Sequence, residues 1–304
     1  MRFASHRDEA SPAGFVDVPP DFRDVKIARE DQRIFLAHIM QRMFLQHFGN
    51  VAVVILVLGL GGSVVSTAEA EDWVDHRVFG PFICYADFPL QDYDTLFNEL
   101  AQTQRDLLER LRLPPIEERI AVFLFKDQAS YRKYLAQQFP NLPYRRALFY
   151  KGTGPGIVLA YRSNELEIDV RHECTHAMLH ASLPMVPLWL DEGLAEYFET
   201  PLSERAAGNP HHSAIKWNMR FGMVPELKRL EVKNTLADMG RSEYRYAWAW
   251  VHFLLHGPEP ARQVLIRYIA DVRRHAPPGK MSERLAAVYA DPEGAMVEHF
   301  KRFK

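Results

Sequence analysis

Two stretches of sequence decide the fold of this chain: HECTH at residues 172–176 and WLDEGLAEYFE at residues 189–199. Residues at i and i+4 of a helix project from one face, one turn apart, so the imidazoles of His172 and His176 could reach a single Zn²⁺ ion. Glu173 lies at the rim of that face, where a carboxylate can contact a water on the metal without binding the metal. The first stretch therefore predicts a helix that carries two metal ligands and a neighbouring acid.

The second stretch offers carboxylates to the same ion. A catalytic zinc takes three protein ligands and keeps one open position. Glu192 follows His176 after fifteen residues, and prolines in that interval indicate a loop that reverses the chain. An antiparallel helix would turn both Glu192 and Glu196 toward the histidines, one as a ligand and the other as acceptor of a ring N–H. Glu199 and Asp191 are interpreted as a solvated acidic face.

Together the two stretches resemble the gluzincin metallopeptidases of the peptidase-MA clan, and most of all the uncharacterised bacterial peptidase-MA-like proteins. The resemblance covers roughly residues 119–256. It implies that zinc is bound by His172, His176 and Glu192, that Glu173 is the general base, and that Glu196 is the acid behind the ligands. It also implies that strand 156–162 is a sheet edge that pairs with an extended substrate. The interval before Glu192 is shorter than in aminopeptidases, and no motif for reading a free α-amine is visible, so exopeptidase activity is not implied.

A third stretch, YRYAWAWVHFL at residues 244–254, resembles a helix of the aminopeptidase-type gluzincins. There a tyrosine at the helix start donates a hydrogen bond to the oxyanion. Counting back along the stretch assigns this role to Tyr244, with Tyr246 as the second choice. The alternative is an aromatic helix that only packs.

The remaining candidate residues near these stretches are interpreted as structural. His180 lies about 12 Å along the helix axis from His172, too far to share its metal. The pair His211-His212 falls in a segment rich in Pro, Gly and Asn and is expected to be exposed. Cys174 should point away from the zinc face into the core. It is expected to be a buried free thiol, although a disulfide to Cys84 would be possible in an oxidising compartment.

Strand patterns precede helical patterns along the chain, which predicts a single α+β domain over residues 71–304, with a small mixed sheet followed by a mainly helical half. The thermolysin-like pair of zinc-site helices would lie in that half. The predicted strands are 78–85, 119–125, 147–150 and 156–162. The predicted helices are 93–111, 128–138, 167–181, 191–199, 244–256 and 260–273, followed by two shorter ones. Residues 202–243 show the weakest pattern, and the glycine-rich loop at 151–156 is expected to be a hairpin turn.

The N-terminal part of the chain carries an export signal. Residues 51–65 read VAVVILVLGLGGSVV, an uncharged run that is short for a membrane span but suits a signal peptide. Arg33 and Arg42 precede this run, and Ala68-Glu69-Ala70 follows it as a cleavage site. The sequence therefore predicts a polar segment at 1–39 that is not translated, a signal peptide at 40–70, and a mature protein in the periplasm, cell envelope or secreted fraction. The alternative is an uncleaved signal anchor, which would be the protein's membrane attachment.

Composition excludes several classes of protein. The 304 residues include 37 Lys+Arg and 39 Asp+Glu, for a formal net charge of -2, so no basic surplus supports nucleic-acid binding. Two cysteines cannot form a disulfide framework. The prediction is an exported zinc metallopeptidase that acts on peptides or proteins. Its alternatives are a non-catalytic envelope protein with a structural zinc, and a binding module whose motif is accidental.

Overall fold

The computed structural model of the protein describes residues 73–152 and 154–303. The predicted signal sequence and the segment before it lie outside the described residues. Among the helices of the described part, none combines the length and the apolar character needed to cross a membrane.

A mixed sheet forms the first part of the described chain, as the sequence predicts, but it has five strands and not the four expected. The strands are β1 (Asp75–Phe79), β2 (Phe82–Ala86), β3 (Ile120–Phe125), β4 (Ala147–Tyr150) and β5 (Ile157–Tyr161). Their order in the sheet is β1-β2-β3-β5-β4, with β2, β3 and β5 parallel and the two outer strands antiparallel to their neighbours. All residues of β2 and β3 are buried, which explains why their sequences are almost continuously apolar.

Two predictions about the sheet are wrong. The segment 78–85 is not one strand, because Gly80 adopts φ +52° and turns the chain with Pro81 between β1 and β2. Only glycine adopts that conformation readily, and proline cannot continue a ladder of hydrogen bonds. The segment 156–162 is not an edge strand either, since β5 is inserted between β3 and β4 and the edge is Ala147–Tyr150. The hairpin predicted at the glycine-rich loop is confirmed by the antiparallel pairing of β4 with β5.

Helices cover both faces of the sheet and then continue as a helical half. They are α1 (Asp94–Leu111), α2 (Gln128–Gln138), α3 (Leu166–Ser182), α4 (Leu188–Phe198), α5 (Pro210–Arg220), α6 (Leu227–Leu230), α7 (Arg241–His256), α8 (Glu259–Arg273), α9 (Met281–Ala286) and α10 (Pro292–Arg302). α2 covers one face of the sheet with a small apolar cluster that includes Tyr131 and Leu135. The opposite face shares the main core with α1, α3 and the helical half.

The helix α5 falls in the segment where the sequence shows little pattern. Its start carries a recognisable signal: the side chain of Asn209 accepts a hydrogen bond from the backbone N–H of His211, and Pro210 occupies the first turn. Both are favoured residues at those positions of a helix. His211 and His212 therefore lie on a helix and not in an exposed loop.

The helices α4 and α7 approach each other closely at Gly193. A Cβ atom at this position would lie 2.6 Å from the backbone oxygen of Ala247 and 2.8 Å from Cγ2 of Val251. Only a residue without a side chain fits there, so glycine brings α7 directly against α4. This contact sets the distance between α7 and Glu192, the residue that precedes Gly193.

Candidate metal centre

The three predicted metal ligands come together in the structure. Nε2 of His172 lies 3.5 Å from Oε2 of Glu192, and Nε2 of His176 lies 3.7 Å from the same oxygen. The ligand atoms of the three residues all lie within 4.8 Å of one another, so they could hold one metal ion. Glu192 and His176 are buried, and His172 is partly buried.

The other nitrogen of each imidazole faces a carboxylate. Nδ1 of His172 is hydrogen-bonded to Oε2 of Glu199 at 2.8 Å. Nδ1 of His176 lies 2.9 Å from Oδ1 of Asp191, without the alignment of a hydrogen bond. A carboxylate at Nδ1 holds the proton there and leaves Nε2 with a free lone pair. Glu199 and Asp191 thus have a place in the site, and the prediction that they belong to a solvated acidic face is wrong.

Asp191 connects the site to His180. Its Oδ2 is hydrogen-bonded to Nε2 of His180 at 2.9 Å, while Oδ1 contacts His176. Burial alone would raise the pKa of Asp191, but the charge of His176 and the contacts with both imidazoles hold it well below its ordinary value. His180 is therefore a second partner of Asp191 and not part of the group that could hold the metal, in agreement with its predicted structural role.

Glu196 does not contact either histidine of the HECTH motif through a hydrogen bond. Its Oε2 is hydrogen-bonded to Nε2 of His211 at 2.8 Å, a residue on α5. It does lie close to Glu199, and with His172 the two glutamates form a second group whose ligand atoms lie within 4.8 Å of one another. The role predicted for Glu196, accepting a ring N–H from a histidine of the motif, is filled by Glu199.

Two of the three spacings between ligand atoms are close to those of a tetrahedral ion. Bonds of about 2.0–2.1 Å to zinc place two ligand atoms of a tetrahedron about 3.3–3.4 Å apart. The two distances to Oε2 of Glu192, 3.5 and 3.7 Å, are close to this value and too long for good hydrogen bonds. One carboxylate and two Nε2 atoms are also a ligand set that zinc accepts.

The electrostatics of the site favour a positive charge. Burial lowers the pKa of His172, but Glu192 and Glu199 more than offset this, so that its pKa lies well above the ordinary value. The pKa of His176 is likewise raised by Asp191 and Glu192 against the effect of burial. Carboxylates that stabilise the extra protons on the two imidazoles would also stabilise a metal cation bound by the same nitrogen atoms.

Glu173 lies on the same helix between the two histidines. Its side chain is partly buried, and it makes no hydrogen bond or ion pair with any residue in the described part of the chain. Its charge nevertheless acts on His172 and on the hydroxyl of Tyr244, which places the carboxylate near the ligands and the aromatic helix. The carboxylate is therefore available to a substrate or a water.

Tyr244 faces the site across from α4. Burial raises the pKa of its hydroxyl to about 12, with a further contribution from Glu192, and the nearby cation Arg145 opposes the shift. The helix begins at Arg241, so Tyr244 lies in its first turn and not at its first residue. Tyr246, by contrast, contacts Asn218 of α5, at 3.4 Å from the amide nitrogen to the phenol oxygen.

Tyr131 of α2 is a further residue near the site. Its hydroxyl is buried and has no hydrogen-bond partner among the described residues. Burial raises the pKa of this phenol, and so does the charge of Glu173. No local pattern marks this residue, since Glu173 lies 42 residues further along the chain.

Cys174 and Cys84 are both buried free thiols, as expected for Cys174. Burial raises the pKa of both, which keeps them protonated and poor as metal ligands.

No known family model matches the chain, and no curated protein matches it either. The resemblance to gluzincins therefore rests on the sequence motifs.

Proposed function

We propose that this protein is a zinc-dependent metallopeptidase of gluzincin type, with a thermolysin-like pair of zinc-site helices formed by α3 and α4. One observation carries the proposal: two Nε2 atoms and one carboxylate oxygen face each other at 3.5 and 3.7 Å, while carboxylates occupy the Nδ1 side of both histidines. Two histidines that only pack in a core would not require this arrangement. A metal site requires it, because each ring must present an unprotonated nitrogen to the ion.

The residues around this site support hydrolysis of a peptide bond. Zinc held by His172, His176 and Glu192 would supply a Lewis acid that polarises the scissile carbonyl and acidifies a water. Glu173, which has no hydrogen-bond partner in the described chain, would take the proton of the attacking water and pass it to the leaving amine. Tyr244 would donate its phenolic proton to the carbonyl oxygen as negative charge develops there.

The high pKa of Tyr244 suits this role. A phenol with a pKa of about 12 stays protonated at neutral pH and is a donor throughout the reaction. Tyr246 is directed to Asn218 and is not proposed to act.

Metal analysis and a hydrolysis assay test the proposal together. The purified chain should contain zinc and should hydrolyse an unstructured protein such as casein, and a chelator should abolish the hydrolysis. His172→Ala, His176→Ala and Glu192→Ala should each lose the metal. A chain without zinc would contradict the proposal and would favour an accidental motif.

Glu173→Gln separates an enzyme from a zinc-stabilised envelope protein. The substitution keeps the size of the side chain and removes the proton acceptor, so the variant should fold and bind zinc but lose turnover. Glu109→Gln, an exposed acid on α1, is the matched control and should have no effect. Equal activity of Glu173→Gln and the parent would contradict the role of the base, and zinc without hydrolysis in either chain would favour the non-catalytic alternative.

Export, the expected peptide or protein substrate and the absence of a nucleic-acid partner belong to the same proposal. Membrane attachment would require an uncleaved signal anchor. When the chain is expressed from Met40, the proposal expects a protein in the envelope or secreted fraction that begins at Glu71. Detection of residues 1–39 on protein made from the complete reading frame would contradict the proposed start of translation.

A further inference from the structure

Four histidines form a buried cluster away from the candidate metal centre. They are His212 of α5, His252 and His256 of α7, and His299 of α10, and we refer to them as the histidine cluster. His252 is fully buried, and its ring centroid lies 4.7 Å from that of His256 and 5.1 Å from that of His299. His212 is buried as well, and its ring lies 6.4 Å from that of His252.

Hydrogen bonds fix the protonation of the central pair. Nε2 of His252 lies 2.8 Å from the backbone oxygen of Ala206, which can only accept, so this nitrogen carries the proton. Nδ1 of His252 is then unprotonated and accepts from Nε2 of His299 at 2.9 Å. The pair is thus satisfied with both rings neutral, and a second proton on His252 would leave two N–H groups facing each other.

No negatively charged group is placed to stabilise a positive charge on these rings. In the described part of the chain, no carboxylate forms an ion pair or hydrogen bond with any of the four rings. The neighbours from the other elements are cations, a phenol and apolar rings: Lys216 of α5 near His212, Arg110 of α1 near His256, Tyr197 of α4 at 2.7 Å from Nε2 of His256, and the rings of Trp248, Phe300 and Phe303. In the described chain, no three of these rings bring their nitrogen atoms within 4.8 Å of one another, so the cluster is not arranged as a metal site.

The cluster joins the C-terminal helix to the body of the protein. Besides the bond from His299 to His252, α10 is attached by the buried side chains of Met296 and Phe300. The chain end after α10 adds a hydrogen bond from Nζ of Lys216 to the backbone oxygen of Phe303, at 2.8 Å. One of the two hydrogen bonds that hold α10 and the chain end is therefore made by rings that must stay neutral.

We propose that the histidine cluster is an acid-sensitive attachment, and that protonation of its rings below neutral pH releases α10 from α5 and α7. Burial, followed by the charges of neighbouring cations and histidines, holds the pKa of His252 at about 3 and the pKa values of His256 and His299 at about 4. A hydrated histidine has a pKa of about 6.5. The open state therefore binds more protons than the closed state as the pH falls from about 6.5 toward 4, so the closed state loses stability in this window.

The size of the loss of stability follows from the difference between the histidine pKa values in the closed and open states. At about pH 5, each histidine that becomes hydrated on opening raises the opening constant by about 30-fold. Two such histidines would raise it by about three orders of magnitude, enough to turn a rare local opening into a frequent one.

Hydrogen exchange of the purified chain, followed by mass spectrometry at about pH 7.5 and about pH 5, tests the proposal. After correction for the intrinsic exchange rates, the protection of residues 292–302 should fall by about 30-fold or more at the lower pH, while that of α1 should change little. Unchanged protection of 292–302 would overturn the proposal, and so would an equal loss over the whole described chain. The readout does not depend on catalysis, so the proposal can fail or hold independently of the proposed peptidase activity.

Variants locate the effect in the cluster. Glutamine can donate and accept hydrogen bonds as the neutral ring does, but it does not titrate. The variant His299→Gln should therefore reduce the pH dependence of protection in residues 292–302 by about 30-fold. The double variant His252→Gln, His299→Gln should nearly remove this pH dependence. His275→Asn is the matched control, since His275 is exposed, has φ +56° and can be replaced by a residue that tolerates this conformation. A full pH response in His299→Gln, or its loss in His275→Asn, would contradict the assignment. The measurement on the parent chain decides the proposal if the variants do not fold.

Discussion

At the scale of single residues, the two imidazoles of the candidate metal centre depend on acids that come from one helical segment. Asp191 and Glu199 contact Nδ1 of His176 and His172, and both carboxylates are mostly buried. Removing such an acid leaves the ring free to rotate and to change its tautomer, so the metal loses a fixed ligand.

We predict that Glu199→Ala and Asp191→Ala each weaken zinc binding by about 10–100-fold, as is usual when the partner of a ligating histidine is lost. Glu196→Ala should have a smaller effect, because Glu196 is hydrogen-bonded to His211 and not to a candidate ligand. Competition for zinc against a chromophoric chelator measures all three variants. A larger loss in Glu196→Ala than in Glu199→Ala would restore the original assignment from the sequence.

The phenol of Tyr244 provides a second test at this scale. Tyr244→Phe should lower kcat by about 10²–10³ and leave KM and the zinc content nearly unchanged, since an oxyanion donor acts mainly in the transition state. Tyr246→Phe is the control on the same helix and should change kcat little. Steady-state kinetics with a chromogenic peptide gives both constants. A silent Tyr244→Phe beside a damaging Tyr246→Phe would mean that the wrong tyrosine has been assigned.

Residues fixed by helical spacing could be predicted from the sequence, and those fixed by tertiary contacts could not. His172 and His176 share a face because of the period of the helix, wherever that helix lies. Glu196 and Glu199 both lie near that face, and local spacing favours Glu196. The choice between them depends on α5, which brings His211 to Glu196, and the position of α5 is not a local property.

At the scale of elements, the contact between α4 and α7 is the one that the site depends on most. Gly193 lies next to Glu192, and its missing side chain lets the backbone of Ala247 come close. A shift of α7 by even part of an ångström would move Tyr244 relative to Glu192.

We predict that Gly193→Ala destabilises the protein by about 1–3 kcal/mol, the usual result of adding a methyl group to a packed core. The clash is with backbone at 2.6 Å, which cannot yield as a flexible side chain does. Gly154→Ala is the control, because a Cβ at that position has no neighbour within 4 Å. Urea denaturation followed by circular dichroism measures the change, and equal midpoints for Gly193→Ala and the parent would show that the two helices can move apart at little cost.

Element boundaries were predictable where turn and capping residues mark them. The helix Gln128–Gln138 and the strand Ala147–Tyr150 have the predicted bounds. The hairpin at Gly80 is hidden in the sequence, because apolar residues continue on both sides of the Gly-Pro pair. The helix Pro210–Arg220 has little apolar periodicity, and only Asn209 and Pro210 mark its start.

At the scale of the whole molecule, the predicted mixed α+β fold is confirmed, although two helices lie between the strands along the chain. The order of strands within the sheet could not be predicted, because inserting β5 between β3 and β4 depends on pairings across the chain. The histidine cluster could not be predicted for the same reason. His212 and Phe300 are remote in sequence, and both come to lie against His252 only after α5 and α10 have packed on α7.

The candidate metal centre differs from that cluster in where its parts come from. All three proposed ligands and both acids at the Nδ1 atoms lie within residues 172–199, so one short connection between two helices must close to bring them together. The entropy lost on closing a loop rises with the logarithm of its length, and a short loop closes quickly. A chain that is folding after export could therefore capture zinc as soon as this helical hairpin has formed, before α7 and the C-terminal helices have packed. The ion would then act as an early folding nucleus, and its supply where the chain folds would influence the yield of folded protein.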